Sequence, residues 1–325
     1  MSDWRHRSAA AACAVLVDRL VGDPADRFHP VAWFGRAMAW REARAWRDER
    51  RSGVAHLLAG LATAAVPVAV LSLGLRRIGA LAVERAVCVG VVAVTLGAAS
   101  LDRRAREVDE ALECGRIDAA RRLLPALVGR DPADLDGDEI ARAVVESLAE
   151  NTVDAVVAPL WWAVVGGPVA AAGYRAVNTL DAMVGYRDDR YRRFGWASAR
   201  ADDLANLVPA RVAAVLVALC VPSRAPQILR AVRRQAPAHP SPNAGVIEAA
   251  FAAALGRRLG GTNRYGEVVE HRAELGEGPR VAPADIVRAR QLARRVTLVA
   301  TGALASPLLV ACWRAPRTLW FKGVR

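Results

Sequence analysis

The sequence predicts an all-α fold: a polytopic helical integral membrane protein with polar helical loops and broken or re-entrant helices. Three observations predict it. The 325-residue chain is 54% hydrophobic yet 24% charged, and the charges are excluded from a few long apolar runs. Residues 54–75 have the length and composition of a membrane-spanning helix that ends before Arg76-Arg77. A further apolar run, 155–173, is interrupted by Gly166-Gly167-Pro168, which breaks or kinks a helix.

In chain order, residues 8–17 read as a retained helix leading into a polar loop, since no convincing cleavage site follows. Residues 33–51 are basic, amphipathic and rich in tryptophan, the pattern of a helix lying on headgroups rather than a catalytic element. The run strongest over 86–99 pairs with 54–75 as a transmembrane hairpin. Residues 101–150 are soluble in character, with helices expected near 101–114, 117–129 and 138–155; Asp131-Pro132 and Asp136-Gly137-Asp138 mark the start of the third. The break at 166–168 predicts a fold-back that sets residues 146–154 beside 178–203. The short run 212–222, bounded by Pro209 and Pro222, reads as a buried or re-entrant helix or the end of a tilted span. Residues 244–259 form a small-residue helix stopped by Gly260-Gly261, and from Pro283 a basic helix enters a last apolar run, 296–313. The expected organisation is one membrane-embedded domain over residues 1–325, without internal repeats.

The net charge of +12 is carried almost wholly by arginine, Lys322 being the only lysine. A basic surplus suits anionic headgroups and phosphates. Nucleic acid is excluded as a partner, because no zinc finger, aromatic-basic pattern or basic tail is present. The five cysteines are scattered without metal or redox spacing and read as small buried hydrophobes. No P-loop, nucleophile elbow or Rossmann fingerprint occurs, so any nucleotide phosphate must be held by arginine, metal and backbone.

Chemistry concentrates between Glu146 and Arg211. Glu146, Glu150 and Asp154 follow an i, i+4, i+8 spacing and share an arc of about 80° on a helix turning roughly 100° per residue. Such a stripe running into an apolar segment predicts a magnesium site, with Asn151 nearby; the bland alternative is a solvated acidic face. The second block offers Asn178 and Asp181, then Arg187, Asp188, Asp189, Arg190 and Tyr191, then Arg200, Asp202, Asp203 and Asn206. Mixed carboxylates and guanidiniums suit a metal–phosphate group, while charge counts alone suit a surface ion-pair network equally well. His29, with Asp18 and Asp23, makes a looser group in which the histidine is a candidate base, although a lone histidine is more often a structural hydrogen-bonder.

These residues resemble the CobD/CbiB family, the adenosylcobinamide-phosphate synthases of cobalamin biosynthesis. The resemblance runs in order through Gly22-Asp23-Pro24 with His29-Pro30-Val31, then Glu146-Ser147 and Ala149-Glu150-Asn151 with Asp154 and Pro159. It continues through Ala176-Val177-Asn178-Thr179-Leu180-Asp181 to Gly185-Tyr186, then Arg190-Tyr191, Phe194-Gly195-Trp196-Ala197-Ser198-Ala199-Arg200 and Asp202-Asp203. It closes on Ser241-Pro242-Asn243-Ala244-Gly245, Glu248 and Leu259-Gly260-Gly261 with Asn263 and Tyr265. The basic 33–51 helix and the 101–140 region match nothing in it.

The resemblance implies a multi-pass enzyme of the bacterial inner (cytoplasmic) membrane that uses ATP and Mg2+. It would join aminopropanol or its phosphate to the propionate carboxyl of (adenosyl)cobyric acid, a C–N ligase reaction on a corrinoid. Implied partners are those substrates, the lipid bilayer and other membrane enzymes of the cobalamin pathway. Under this reading Glu146, Glu150 and Asp154 hold metal. Asp181, His29, Arg200, Asp202 and Asp203 are catalytic candidates, with Asp181 or His29 as base. Asp23, Asn178, Arg187, Arg190, Tyr191, Arg211, Ser241, Asn243 and Asn263 bind substrate or phosphate. Rival readings are a non-catalytic AmpE-like signalling protein, which the dense motifs at 178–203 argue against, and a metal-dependent membrane phosphotransferase, whose Asp-Gly repeats are missing here. A transporter is disfavoured by the large polar loops.

Overall fold

The computed structural model describes residues 3–22, 27–129, 131–186, 188–265 and 268–305. Helix α1 (Asp3–Val21) precedes α2 (Pro30–Ala45), whose start is set by local chemistry. Pro30 occupies a position where its missing N–H costs nothing, and His29 Nδ1 accepts the Val31 N–H at 3.2 Å as the cap. Next come α3 (Arg50–Arg77), α4 (Leu81–Thr95), α5 (Ala98–Glu113) and α6 (Ile117–Leu123), the last continued by one tight turn at Leu124–Ala126. Asp136 opens α7 (Gly137–Thr152) with a reciprocal cap: its carboxylate accepts the Glu139 N–H at 2.8 Å, and Glu139 accepts the Asp136 N–H at 3.0 Å.

Four stretches are long and apolar enough to cross a membrane: Arg50–Arg77, Leu81–Glu113, Gly137–Val184 and Trp196–Cys220. Only 11% of the apolar window in α3 is buried, and Leu58, Val66, Val70 and Leu73 point outward, so this helix presents its side chains to lipid.

The third stretch is a hairpin. α7 passes through a wide π-turn (Val153–Val157) into α8 (Ala158–Val184), which breaks at Gly167 with φ 72° and ψ −164°. That conformation suits a residue without Cβ, and Pro168 then offers no N–H to rebuild the helix across the break. The chain returns on itself: the Tyr174 hydroxyl lies 3.5 Å from the Asp154 carboxylate, twenty residues earlier. In one straight helix the two would stand about 30 Å apart. The predicted fold-back is therefore present. Its outgoing arm from Asp154 to the break is about 20 Å long and the return to Tyr174 about 10 Å, both shorter than the roughly 30 Å hydrocarbon core.

Two prolines within helices are each answered from elsewhere. Pro159 cannot donate to the Ala155 carbonyl, which instead accepts the Gly97 N–H at 3.1 Å from the α4–α5 junction. Pro209 likewise leaves the Ala205 carbonyl free, and the Trp162 indole N–H fills it at 3.1 Å. Helix α9 (Trp196–Cys220) therefore runs straight through Pro209. Of the readings offered for 212–222, the end of a span is the one found: residues 212–220 are the last part of this helix, which is long and apolar enough to cross a membrane.

α10 (Ala225–Arg234) leads to α11 (Ala244–Leu255), which ends on Gly256 in the left-handed region. The helix expected to reach 259 and stop at Gly260-Gly261 thus ends earlier, on Gly256, and those two glycines lie instead in a β-hairpin that the all-α reading omitted. β1 (Leu259–Tyr265) pairs antiparallel with β2 (Val268–Leu275), and a Cβ on Gly260 would overlap the Ala273 carbonyl. α12 (Asp285–Ala305) is the basic helix expected from Pro283; the rest of the 296–313 run lies outside the described residues. The core gathers α7, α8, α9, α11 and α12 around Val144, Leu148, Leu160, Phe251 and Ile286. Its many alanines let these backbones approach closely.

Candidate active site

The base of the hairpin brings the two polar blocks together. Asp202, on α9, accepts two amide N–H groups, from Asn178 on α8 at 3.2 Å and from Asn206 at 3.0 Å, one to each oxygen. Asn206 in turn accepts the Tyr174 hydroxyl at 2.9 Å. Asn178 also hydrogen-bonds the Asp154 carboxylate, whose electrostatic neighbours are Asp202, Glu150 and Arg175. Asp181 completes the group at the C-terminal end of α8, near Asp202 and Asp203. A Cβ at Gly185 would overlap the Asp181 carboxylate, so that glycine is required for the close approach.

The acidic stripe does not act as one ligand set. Glu146 is buried and accepts the Gly260 N–H at 2.9 Å, with Arg142 at 3.4 Å; Arg142 also donates to the Gly260 and Thr262 carbonyls. Glu150 hydrogen-bonds Glu248 on α11, and Asp154, carried round by the π-turn, faces Asn178 and Asp202. Asn151 donates back to Ser147 on its own helix. Among the described residues no three His, Cys, Asp or Glu side chains converge closely enough to hold a metal ion. The expected triad is thus divided among three partners, because the π-turn spoils the i+4 register between Glu150 and Asp154.

The other expected residues fall into distinct places. Arg200 pairs with Asp203 at 3.3 Å near the cluster. Asn243 bridges to it, donating to the Asp203 carbonyl at 2.7 Å and accepting Arg211 at 3.4 Å. Ser241 caps α11, its hydroxyl accepting the Asn243 and Ala244 N–H groups. His29 serves as the cap of α2 described above. Arg190 and Tyr191 both bond Glu42 of α2, at 3.0 and 2.8 Å. Asp23 and Arg187 lie outside the described residues; Asn263 is on β1, with its side chain outside them.

Sequence reasoning passed over Glu42, Tyr174, Arg175 and Glu248 as site residues. Tyr174 and Arg175 precede Asn178 by four and three positions, which places them on its helical face, so that spacing was a usable signal. Glu42 gave none: α2 reads as an interfacial helix, yet it buries this carboxylate to hold the 188–195 loop. Burial, with the Glu150 and Glu146 carboxylates next in weight, pushes the Glu248 carboxyl well above the usual range. His239 Nε2 stands 3.7 Å from it.

Fold and site together define a helical membrane protein whose re-entrant hairpin presents an acidic, amide-braced cluster. The family described as CobD/Cbib protein matches residues 11–293, and the chain belongs to it. The Mycobacterium tuberculosis (strain ATCC 25618 / H37Rv) Cobalamin biosynthesis protein CobD is 46% identical over 318 residues, 97% of this chain and 99% of that protein. Proteins of the same description from Pelobacter propionicus and Rhodobacter capsulatus are 41% and 40% identical, covering 90% and 89% of this chain and 94% and 93% of their own. No solved structure matches.

Proposed function

We propose that this protein works in cobalamin biosynthesis as a multi-pass ligase of the cell membrane. It would attach aminopropanol, free or phosphorylated, to the propionate carboxyl of (adenosyl)cobyric acid at the expense of ATP. The observation that carries this reading is the near-complete match to a relative named for cobalamin biosynthesis, together with a cluster of Asp154, Asn178, Asp202 and Asn206 that suits phosphate chemistry.

A resident Mg2+ is consistent with that donor set. Asp154 and Asp202 are hard oxygen ligands, and magnesium commonly takes only one or two carboxylates and completes its shell with substrate phosphates. When bound there it would neutralise phosphoryl charge. The chain's own residues supply the rest. Asn178 and Asn206 lock both oxygens of Asp202, so its orientation is set before substrate arrives. Asp181 stands beside this group at the end of α8 and would take the proton that the substrate ammonium must lose before its amine attacks. Arg200, half free of Asp203, offers charge to a phosphoryl oxygen.

Membranes containing the protein, adenosylcobyric acid, ATP and Mg2+ are to be supplied with either the free or the phosphorylated amine. Amide product that requires all components supports the ligase. ATP consumption without either acid or amine, or no product with either amine, rejects it.

A further inference from the structure

A second polar feature of the hairpin lies beside the acidic cluster. Between α2, α3, α4 and the returning arm of α8 is a cavity of about 570 Å³, walled by Trp33, Phe34, Val68 and Val94. Among the described residues, Arg175 is the only charged one lining it. The three threonines on its wall are all spent on their own helices: Thr63 donates to Ala59, Thr95 to Val92 and Thr179 to Arg175 carbonyls. Trp33 donates its indole N–H to the Arg27 carbonyl.

Arg175 is not so satisfied. One terminal nitrogen reaches the Asn178 carboxamide oxygen at a long 3.4 Å, and Nε is buried with no hydrogen-bond partner. A guanidinium within a membrane-spanning stretch is costly, and a buried donor without an acceptor asks for a reason. Its position supplies one. Arg175 neighbours Asp154 and Asn178 and also forms part of the wall of the apolar cavity. The two terminal nitrogens of the guanidinium form a fork that matches two oxygens of one oxyanion.

The geometry points to Arg175 as the residue that receives the oxyanion of an organic substrate, a carboxylate or a phosphoryl group, with the adjoining apolar part of that substrate resting against Trp33 and Phe34. The site is distinct from the Asp154–Asp202 pair, and its guanidinium charge would hold an anion next to those carboxylates that they would otherwise repel. The choice of probes rests on the proposed ligation, so binding and turnover are read separately.

The full-length protein, purified in detergent, is to be titrated with adenosylcobyric acid, aminopropanol phosphate, Mg-ATP and, as the control without an oxyanion, free aminopropanol, following tryptophan fluorescence. Arg175→Gln is expected to weaken one oxyanion probe by about tenfold or more while leaving the others nearly unchanged. Arg175→Lys, which keeps the charge and loses the fork, should recover part of that affinity. The probe affected identifies the oxyanion as carboxylate or phosphoryl. Unchanged affinities in whichever variant folds, judged by its melting temperature, overturn the assignment. So does an anionic lipid that co-purifies with the wild type and is lost from the variant while every substrate affinity holds. A weakened probe with no amide product from any mixture keeps the site and sinks the ligation; product with unchanged affinities does the reverse.

Discussion

Glu146 and Asp154 stand eight residues apart on one helical path, and both are carboxylates taken into a largely apolar interior. Their surroundings differ. Glu146 meets a backbone N–H from β1 and the Arg142 guanidinium, which itself clamps two strand carbonyls. Asp154 lies past the π-turn, among Asn178, Asp202 and Glu150, with Arg175 as its nearby cation. One end of the stripe fastens the β-hairpin to the helical body; the other gathers negative charge where a cation or a charged substrate would settle it. Both ends carry a carboxylate on the same i+4 spacing, so partner geometry separates anchor from chemistry.

The sharpest way to break this comparison is to exchange the two carboxylates for neutral groups. Asp154→Asn is expected to lower amide formation by about a thousandfold while leaving the melting temperature nearly unchanged, since a carboxamide fits the same space. Glu146→Ala should do the opposite. It strands the Gly260 N–H and removes the counter-charge of Arg142, costing about 2–4 kcal/mol of stability by thermal unfolding, with turnover of the folded fraction within about threefold of wild type. Equal effects of the two on both readouts would erase the distinction.

Pro159→Ala tests what places Asp154 at all. A restored N–H would compete with Gly97 for the Ala155 carbonyl and favour a regular helix across the π-turn. The turn of Asp154 away from Asn178 should cost about tenfold in kcat, with little loss of stability. Glu42→Gln probes the loop beside the cluster. Weaker bonds to Arg190 and Tyr191 should cost about 1 kcal/mol and raise KM more than they lower kcat.

The smallest effect concerns Glu248. Its folded carboxyl binds a proton more readily than the unfolded one, so its contribution to stability is complete below the ordinary value of 4.5 and is lost as pH rises through the elevated folded value. The melting temperature of the wild type is expected to fall as pH is raised through that interval and to level off above it, and Glu248→Gln to flatten the fall.

Much of this architecture was legible. The apolar run at 54–75, the helix start at Asp136, and the break at Gly166-Gly167-Pro168 follow from local rules of composition, capping and glycine or proline chemistry. The site was legible in part. The blocks 146–154 and 178–206 were marked by charge inside apolar sequence, and the hairpin made them meet. The Glu146–Glu150–Asp154 set meets separate partners that period counting could not show, since it assumes an unbroken α-helix, whereas Pro159 removes the donor that would keep it regular. Glu42 and the β-hairpin were invisible for a related reason: their roles depend on loops and strands far away in the chain.

By itself the sequence determined a helical membrane protein, a glycine–proline turn inside one apolar segment, and the family to which the ordered motifs belong. Those features depend on neighbours within a few residues, where sterics and hydrogen-bond valence decide. The tertiary structure alone decided that Pro209 stays within a helix, that Glu146 anchors a strand, and that Arg175 adjoins both an acidic cluster and an apolar cavity. In each case a group the local chain leaves unsatisfied finds, or lacks, its partner on another element.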